Sequence, residues 1–438
     1  MAEKQGAAAR SGGFWRAFGP GLLFAGAAIG VSHLVQSTRA GALYGFGCVA
    51  FILAANAIKY PAFRFGPAYA AATGRSILVG YRRQGNLGVA LFLLATLATM
   101  FVAVAAVSLV SAALLRTALG VSLSASNLAA LLVLAGAVLL VVGRFRLLDW
   151  TIKALIAFLS FSTLLASAIV LPRISLSGPG DLWPADFSLP TIIFLAALMG
   201  WMPAPLDTAV WQSLWTKAKA RSTGHAPTLH QSSLDFNIGY AATIFFAFCF
   251  LIMGAGLMHG SGVTFAAGAP AFSQQIVSLY EQTLGTGVGR LVGLGAFSVV
   301  FSTTLTALDA YPRTLAALAG VMRNPAFRAG AAALPPANIA TEREADPRAQ
   351  RIALVLLAAG SIVALKLFGA RFRELIDFAT TVSFLTAPVF AFLNHRAIAS
   401  ADVPRERRPA GWMLHWSAAG TALMALLALG YLWIRFLA

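Results

Sequence analysis

The sequence predicts an all-α polytopic membrane protein, and three observations carry that prediction. Of 438 residues, 59% are hydrophobic and 11% charged, and mean hydropathy is +0.78, far from the balance of an average soluble domain. Apolar runs of bilayer-spanning length, roughly 20 residues each, recur along almost the whole chain. Lysine and arginine alternate between rich and poor loops, which is the charge pattern of membrane topology.

Taken in order, residues 1–18 are polar and small, with Lys4, Arg10 and Arg16. They lack a short apolar region leading to a cleavage site, so they are expected as a cytoplasmic tail rather than a signal peptide. Eleven spans follow, at 19–46, 47–63, 87–115, 126–143, 150–171, 189–215, 237–258, 286–318, 352–369, 375–395 and 412–436. With the N-terminus inside, the inner segments carry 21 Lys/Arg and the outer ones 7. The other four, Arg39, Lys59, Lys153 and Arg313, fall within spans or at their ends. This bias places the N-terminus in the cytoplasm and the C-terminus outside a bacterial inner membrane. It accounts for the net charge of +17 without nucleic acid as a partner. The partners expected are the lipid bilayer, a transported ion or small solute, and a coupling ion.

Cys48 and Cys249 lie inside spans without metal-ligand spacing and read as small buried hydrophobes. No CxxC, HExxH, Walker loop or GxSxG occurs, so neither an enzyme nor a bound cofactor is expected. The stretch 323–351, rich in Ala, Pro and mixed charge, reads as a flexible cytoplasmic linker. His225 and His230, in the basic loop 216–233, read as solvated side chains before metal ligands.

Spans one and six stand apart. "GPGLLFAGAAIGVSHLVQSTRAGALYGF" is interrupted by glycines, serines and polar residues, and "MGWMPAPLDT" (199–208) by two prolines. Interrupted spans in equivalent positions of two halves point to a transporter with a midplane site. The expected architecture is therefore two inverted five-helix repeats, 19–171 and 189–395, with 412–436 as an eleventh helix. Breaks at Val31–Ser32 and at Pro203, Ala204 and Pro205 would free carbonyls for a cation and N–H groups for an anion.

At these two spans the chain resembles the Nramp (natural resistance-associated macrophage protein) family of divalent-metal transporters. Residues 19–46 line up without gaps on the family's first helix, "AAATGRSILVGYRR" (70–83) is similar to its loop after helix two, Met202–Pro203 matches its Met-Pro, and "MHGSG" (258–262) resembles the end of helix seven. The resemblance implies a LeuT-type fold and a divalent metal cation as cargo. It also marks departures. The family's Asp-Pro-Gly-Asn falls on Gly30, Val31, Ser32 and His33, and its Met-Pro-His on Met202, Pro203 and Ala204. The carboxylates of its proton route fall on Thr96, Ala103 and Ala106, and its tenth-helix glutamine near Thr380 or Thr381.

Met202 is a thioether ligand for a soft or borderline metal, or a gap-filling methionine. His33 is a ligand or proton carrier, or a histidine satisfied by carbonyls at the break. Gly30 and Met199 would offer backbone carbonyls. Asp207 either caps a helix restarting near Pro205 or replaces the missing acid as counter-charge. Arg39 faces Asp207 or an anionic group, and Thr381 is accessory. Asp309 and Arg313 are spaced for an intrahelical pair, and Glu374 with Asp377 joins Arg371 and Arg373 in a solvated edge cluster. The leading expectation is an Nramp-like secondary transporter of a divalent metal. The alternatives are a LeuT-type transporter of a small organic solute such as an amino acid, and a non-transporting sensor.

Overall fold

The computed structural model describes residues 15–174, 179–260, 269–368 and 371–436. Most of the expected tail, 1–14, lies outside them, as do Ser261 and Gly262 of the "MHGSG" stretch. The described chain is helical throughout: α1 Pro20–Ala28, a π-helical segment Gly30–Ser37, α2 Thr38–Tyr44, α3 Val49–Thr73, α4 Ile77–Arg83 and α5 Asn86–Leu119. After these come α6 Ala125–Gly143 and α7 Arg146–Val170, then α8 Leu189–Trp201, α9 Thr208–Thr223, α10 Leu229–Leu257 and α11 Ala269–Leu284. The series ends with α12 Thr286–Arg323, α13 Pro347–Phe368, α14 Phe372–Ala399 and α15 Gly411–Phe436.

Nine of these stretches are long and apolar enough to cross a membrane, helix one (α1 through α2) counting as a single span. The helix α3, which carries Asn56, Lys59 and Arg64, is less apolar, and α8 is a shorter apolar helix. The result is an all-helical integral membrane protein. Helical geometry persists between α6 and α7, yet the chain reverses there. Gly136 lies against Leu305 and Leu308 of α12, whereas Ser162 lies against Gly295, nearer the start of α12. Leu140 and Val141 have meanwhile reached the level of Asp309 and Arg313.

Two features hold helix one. Asp235 of α10 accepts hydrogen bonds from Gly19 N (2.9 Å) and Gly21 N (2.7 Å), satisfying donors that a helix start leaves open and complementing the dipole. Glycine then lets the backbones touch. A Cβ on Gly21 would stand 2.0 Å from the Asp235 carbonyl oxygen, and one on Gly239 would stand 2.0 Å from that of Gly21. Such small-residue contacts replace the hydrophobic drive that is missing between helices in lipid.

Three elements depart from the sequence expectation. Helix two runs to Thr73 rather than 63, and the stretch 70–83 is largely helical. An additional helix, α11, precedes span eight. The linker 323–351 packs firmly instead of dangling. Glu344 is buried and accepts from Lys217 Nζ (2.5 Å) and Ser76 N (2.8 Å), and Ala337 N donates to Thr73 O (2.8 Å). Composition suggested a flexible tether, but buried charge pairing pins it beneath α3, α4 and α9.

Candidate functional site

Helix one does not open where the sequence suggested. The α-helix ends at Ala28 and rewinds as a π-helix from Gly30 to Ser37 before α2 resumes. Wide turns of this kind are rare and concentrate at functional sites. Gly30 is needed there because a Cβ would stand 2.1 Å from Thr303 Oγ1 of α12. Thr303 and Ser302 in turn donate to Gly26 O, at 2.7 and 3.2 Å, so helix one and α12 are stitched together through hydroxyls.

Helix six does open. α8 ends at Trp201, Met202 is extended (φ −94, ψ 121), the Met202–Pro203 bond is cis, and α9 begins at Thr208. Two prolines explain the gap, since neither supplies an N–H and each disfavours α geometry in the residue before it. The restart is tight, with Thr208, Ala209 and Val210 donating to the carbonyls of Pro205, Leu206 and Asp207.

Between these two irregular stretches lies a cavity of about 50 Å³. Ala27, Val31 and Ser32 of helix one form one wall, Ala103 and Val107 of α5 another, and Thr303, Ala307 and Tyr311 of α12 a third. Trp201, Pro205, Thr208 and Trp211 close it from the helix-six break. Among the described residues, no ionisable acid or base other than the Tyr311 phenol lines it. The Trp211 and Tyr311 rings meet edge to face at 4.8 Å, and Trp201 Nε1 donates to Ser383 Oγ (3.1 Å). Trp211 Nε1 is buried without a hydrogen-bond partner, an uncommon state for an indole donor.

The other expected site residues are dispersed around this cavity. Met202 is fully buried in an apolar cluster with Ala40, Cys48, Leu198 and Phe384. His33, also fully buried, has Nδ1 at 2.8 Å from Ala28 O and 2.9 Å from Ser32 Oγ, and Nε2 at 2.9 Å from Thr243 O. Ser32 Oγ itself hydrogen-bonds Ala28 O. The Met199 carbonyl is occupied by Lys59 Nζ. Pro203 and Ala204 lie buried in the extended turn, the latter in the core beneath α3. Asp207 makes no capping hydrogen bond, and its Oδ1 has no partner. It borders a second, smaller cavity of about 10 Å³ with Thr99, Ser383 and Thr386. Arg39 stacks over the Phe194 ring at 5.0 Å. Thr381 is partly buried on α14 and borders neither cavity.

Elsewhere, Arg313 and Asp309 form the expected i,i+4 pair (2.5 Å), to which Trp215 Nε1 adds a hydrogen bond (2.9 Å). Arg371 and Glu374 sit exposed, 3.9 Å apart. His225 bonds Gln231 Oε1 (3.1 Å), and among the described residues no cluster of His, Cys, Asp and Glu is arranged for a metal. Sequence reasoning missed Trp211, Tyr311 and Thr303 as cavity walls, because aromatics and threonines are ordinary in such spans. It counted Lys59 only as a charge. A lysine inside "AANAIKYPAF" was the available signal, since charges in a span are costly and kept for a reason.

The chain matches no described protein family by profile. It is 33% identical over 382 residues to the uncharacterized protein PM0681 of Pasteurella multocida, covering 86% of this chain and 84% of that one. Among solved structures it superposes on the manganese transporter of Eremococcus coleocola with a TM-score of 0.68 at 14% identity, over 97% of this chain and 89% of that one. It also superposes on Mhp1, a nucleobase-cation-symport-1 family transporter bound to bromovinylhydantoin (TM-score 0.57, 13% identity, 96% and 90% covered). A third match is MhsT in complex with L-phenylalanine (TM-score 0.58, 13% identity, 95% and 98% covered). These likenesses show the LeuT-type fold.

Proposed function

The chain belongs to one family with the uncharacterized Pasteurella multocida protein and has the LeuT-type fold; from that premise we propose that it is a secondary transporter of a small neutral organic solute. The cargo is read as having an apolar or aromatic face and hydrogen-bond acceptors. The observation that carries this reading is the central cavity, with its Trp201, Trp211 and Tyr311 walls, next to which the Trp211 Nε1–H lies buried and unpartnered, within reach of a solute once the ring turns. A buried donor left unpaired costs about 1–3 kcal/mol, and an acceptor on the solute recovers it. Ser32, Thr208 and Thr303 add hydroxyls. Ala103, standing where the Nramp pattern has a proton-route acid, turns that wall apolar.

A divalent cation is the less favoured cargo. Such an ion needs several anionic or soft donors converging on one point. Here the His33 nitrogens are taken by Ala28 O, Ser32 Oγ and Thr243 O, the Met199 carbonyl by Lys59, and Met202 packs away from the cavity. The bias of Lys and Arg toward one set of loops supports a cytoplasmic N-terminus. Alternating access would proceed by rocking of the repeats about helices one and six.

The test is uptake by proteoliposomes of Mn²⁺ and of a panel of neutral heteroaromatic solutes and amino acids. Solute accumulation is expected, with Trp211→Phe weakening its affinity roughly 5- to 100-fold, the range given by losing one buried hydrogen bond. Met202→Leu should leave it unchanged within about twofold, as a volume-conserving swap. Mn²⁺ uptake abolished by Met202→Leu or His33→Ala would overturn the reading in favour of the metal.

A further inference from the structure

Lys59 sits on α3, in the interior of the bundle, with only 2% of its surface exposed. Its Nζ reaches Met199 O at 2.5 Å, Gly200 O at 3.0 Å and Met202 O at 3.0 Å. Among the described residues no carboxylate pairs with it.

The reason lies in the sequence of the break. In a continuous helix the Met199 carbonyl would accept from the N–H four residues on, but that residue is Pro203, which has none. Beyond Trp201 the backbone is extended, which leaves the neighbouring carbonyls open as well. Three oxygens and the negative end of the α8 dipole therefore converge at one buried point. An ammonium has three N–H donors and no acceptor, and here each donor meets one carbonyl. A neutral amine has two donors and a lone pair, so it would leave one carbonyl facing a lone pair. The three acceptors favour the charged form and work against the desolvation that opposes it.

We propose that the three carbonyls of Met199, Gly200 and Met202 form a monovalent-cation site which the chain fills with its own Lys59 ammonium. The chain thereby supplies its own cationic group to the end of the first half of helix six, with no free cation required at that point. The inference stands apart from the identity of the cargo, and its test reads stability without any solute.

Lys59→Ala removes three carbons and the ammonium, and n-propylammonium supplies the same atoms. Thermal midpoints of the purified full-length protein would be measured in about 0.1 M n-propylammonium, sodium, potassium or tetramethylammonium chloride. Lys59→Ala is expected to melt below wild type and to rise by about 2 °C or more in n-propylammonium relative to tetramethylammonium, which has no N–H. Wild type should not distinguish these two salts. Lys59→Met, which fills the channel of the stem but brings no ammonium, should melt low and gain nothing. The proposal is overturned if Lys59→Ala matches wild type, or if it gains nothing from n-propylammonium. It is equally overturned if Lys59→Met is as stable as wild type, since the role would then be packing. If Lys59→Ala cannot be recovered folded, solubilisation in n-propylammonium should restore a monodisperse protein. Failure of that rescue also counts against the site.

Discussion

Replacing Lys217 by methionine should destabilise the fold by about 3–5 kcal/mol, the usual cost of stranding one partner of a buried pair. Lys217 Nζ stands 2.5 Å from Glu344 Oε1, and the two side chains are 1% and 2% exposed. At that separation the direct attraction is roughly 6–7 kcal/mol with an effective dielectric near 20, and desolvation of both charges offsets part of it. In Lys217→Met the carboxylate keeps only Ser76 N on Oε1, because Oε2 has no partner. Lys217 also donates to Gly74 O at 3.1 Å, so a second acceptor is orphaned. With an unfolding entropy of about 2.1 cal/mol/K per residue, the loss corresponds to a midpoint drop of roughly 3–5 °C. Glu344→Gln, which keeps an acceptor for Ser76 N, should cost a similar amount by stranding the ammonium. The double variant Lys217→Met/Glu344→Gln should recover more than half of either single loss. Thermal unfolding of the four proteins in one detergent forms the cycle. Single losses below about 1 °C, or strictly additive losses, would refute the claim that this pair pins the 323–351 segment to α9.

Gly239→Ala places a Cβ 2.0 Å from the Gly21 carbonyl oxygen, far inside normal carbon contact of about 3.5 Å. It is expected to cost at least about 1–3 kcal/mol as overpacking, read as lost monodisperse protein. Gly430→Ala, with nothing within 4 Å, should be neutral or stabilising, and equal behaviour of the two would refute the close α1–α10 approach. Asp207→Asn replaces a buried carboxyl group whose Oδ1 has no partner by an uncharged amide, so the midpoint should hold or rise by about 1 °C or more. A fall of several degrees would show that the carboxylate is engaged after all.

Much of the plan was legible in one dimension, because lipid forces every backbone donor into helices and sorts positive charge to one side. The all-helical membrane architecture and the irregularity of helices one and six follow from apolar runs and from the placement of Gly and Pro. The intrahelical Asp309–Arg313 pair likewise needs only the helical period. Pro203 and Pro205 were enough to place the opening of helix six.

Other features needed the folded chain, because they depend on which groups meet across hundreds of residues. The glycines and polar side chains of helix one signalled irregularity but not its kind, and only packing against Thr303 and α10 resolved it into π-helical turns. The 323–351 stretch looked like a tether until Glu344 met Lys217 and Ser76. A methionine at a break is equally consistent with a ligand and a filler, and its packing with Leu198 and Phe384 is a tertiary fact. Lys59 and the Met199 carbonyl are 140 residues apart. The sequence by itself determined that a carbonyl would be left open at Pro203, since proline carries no N–H. Only the tertiary structure decided what fills it, since that depends on α3 passing within reach of the gap.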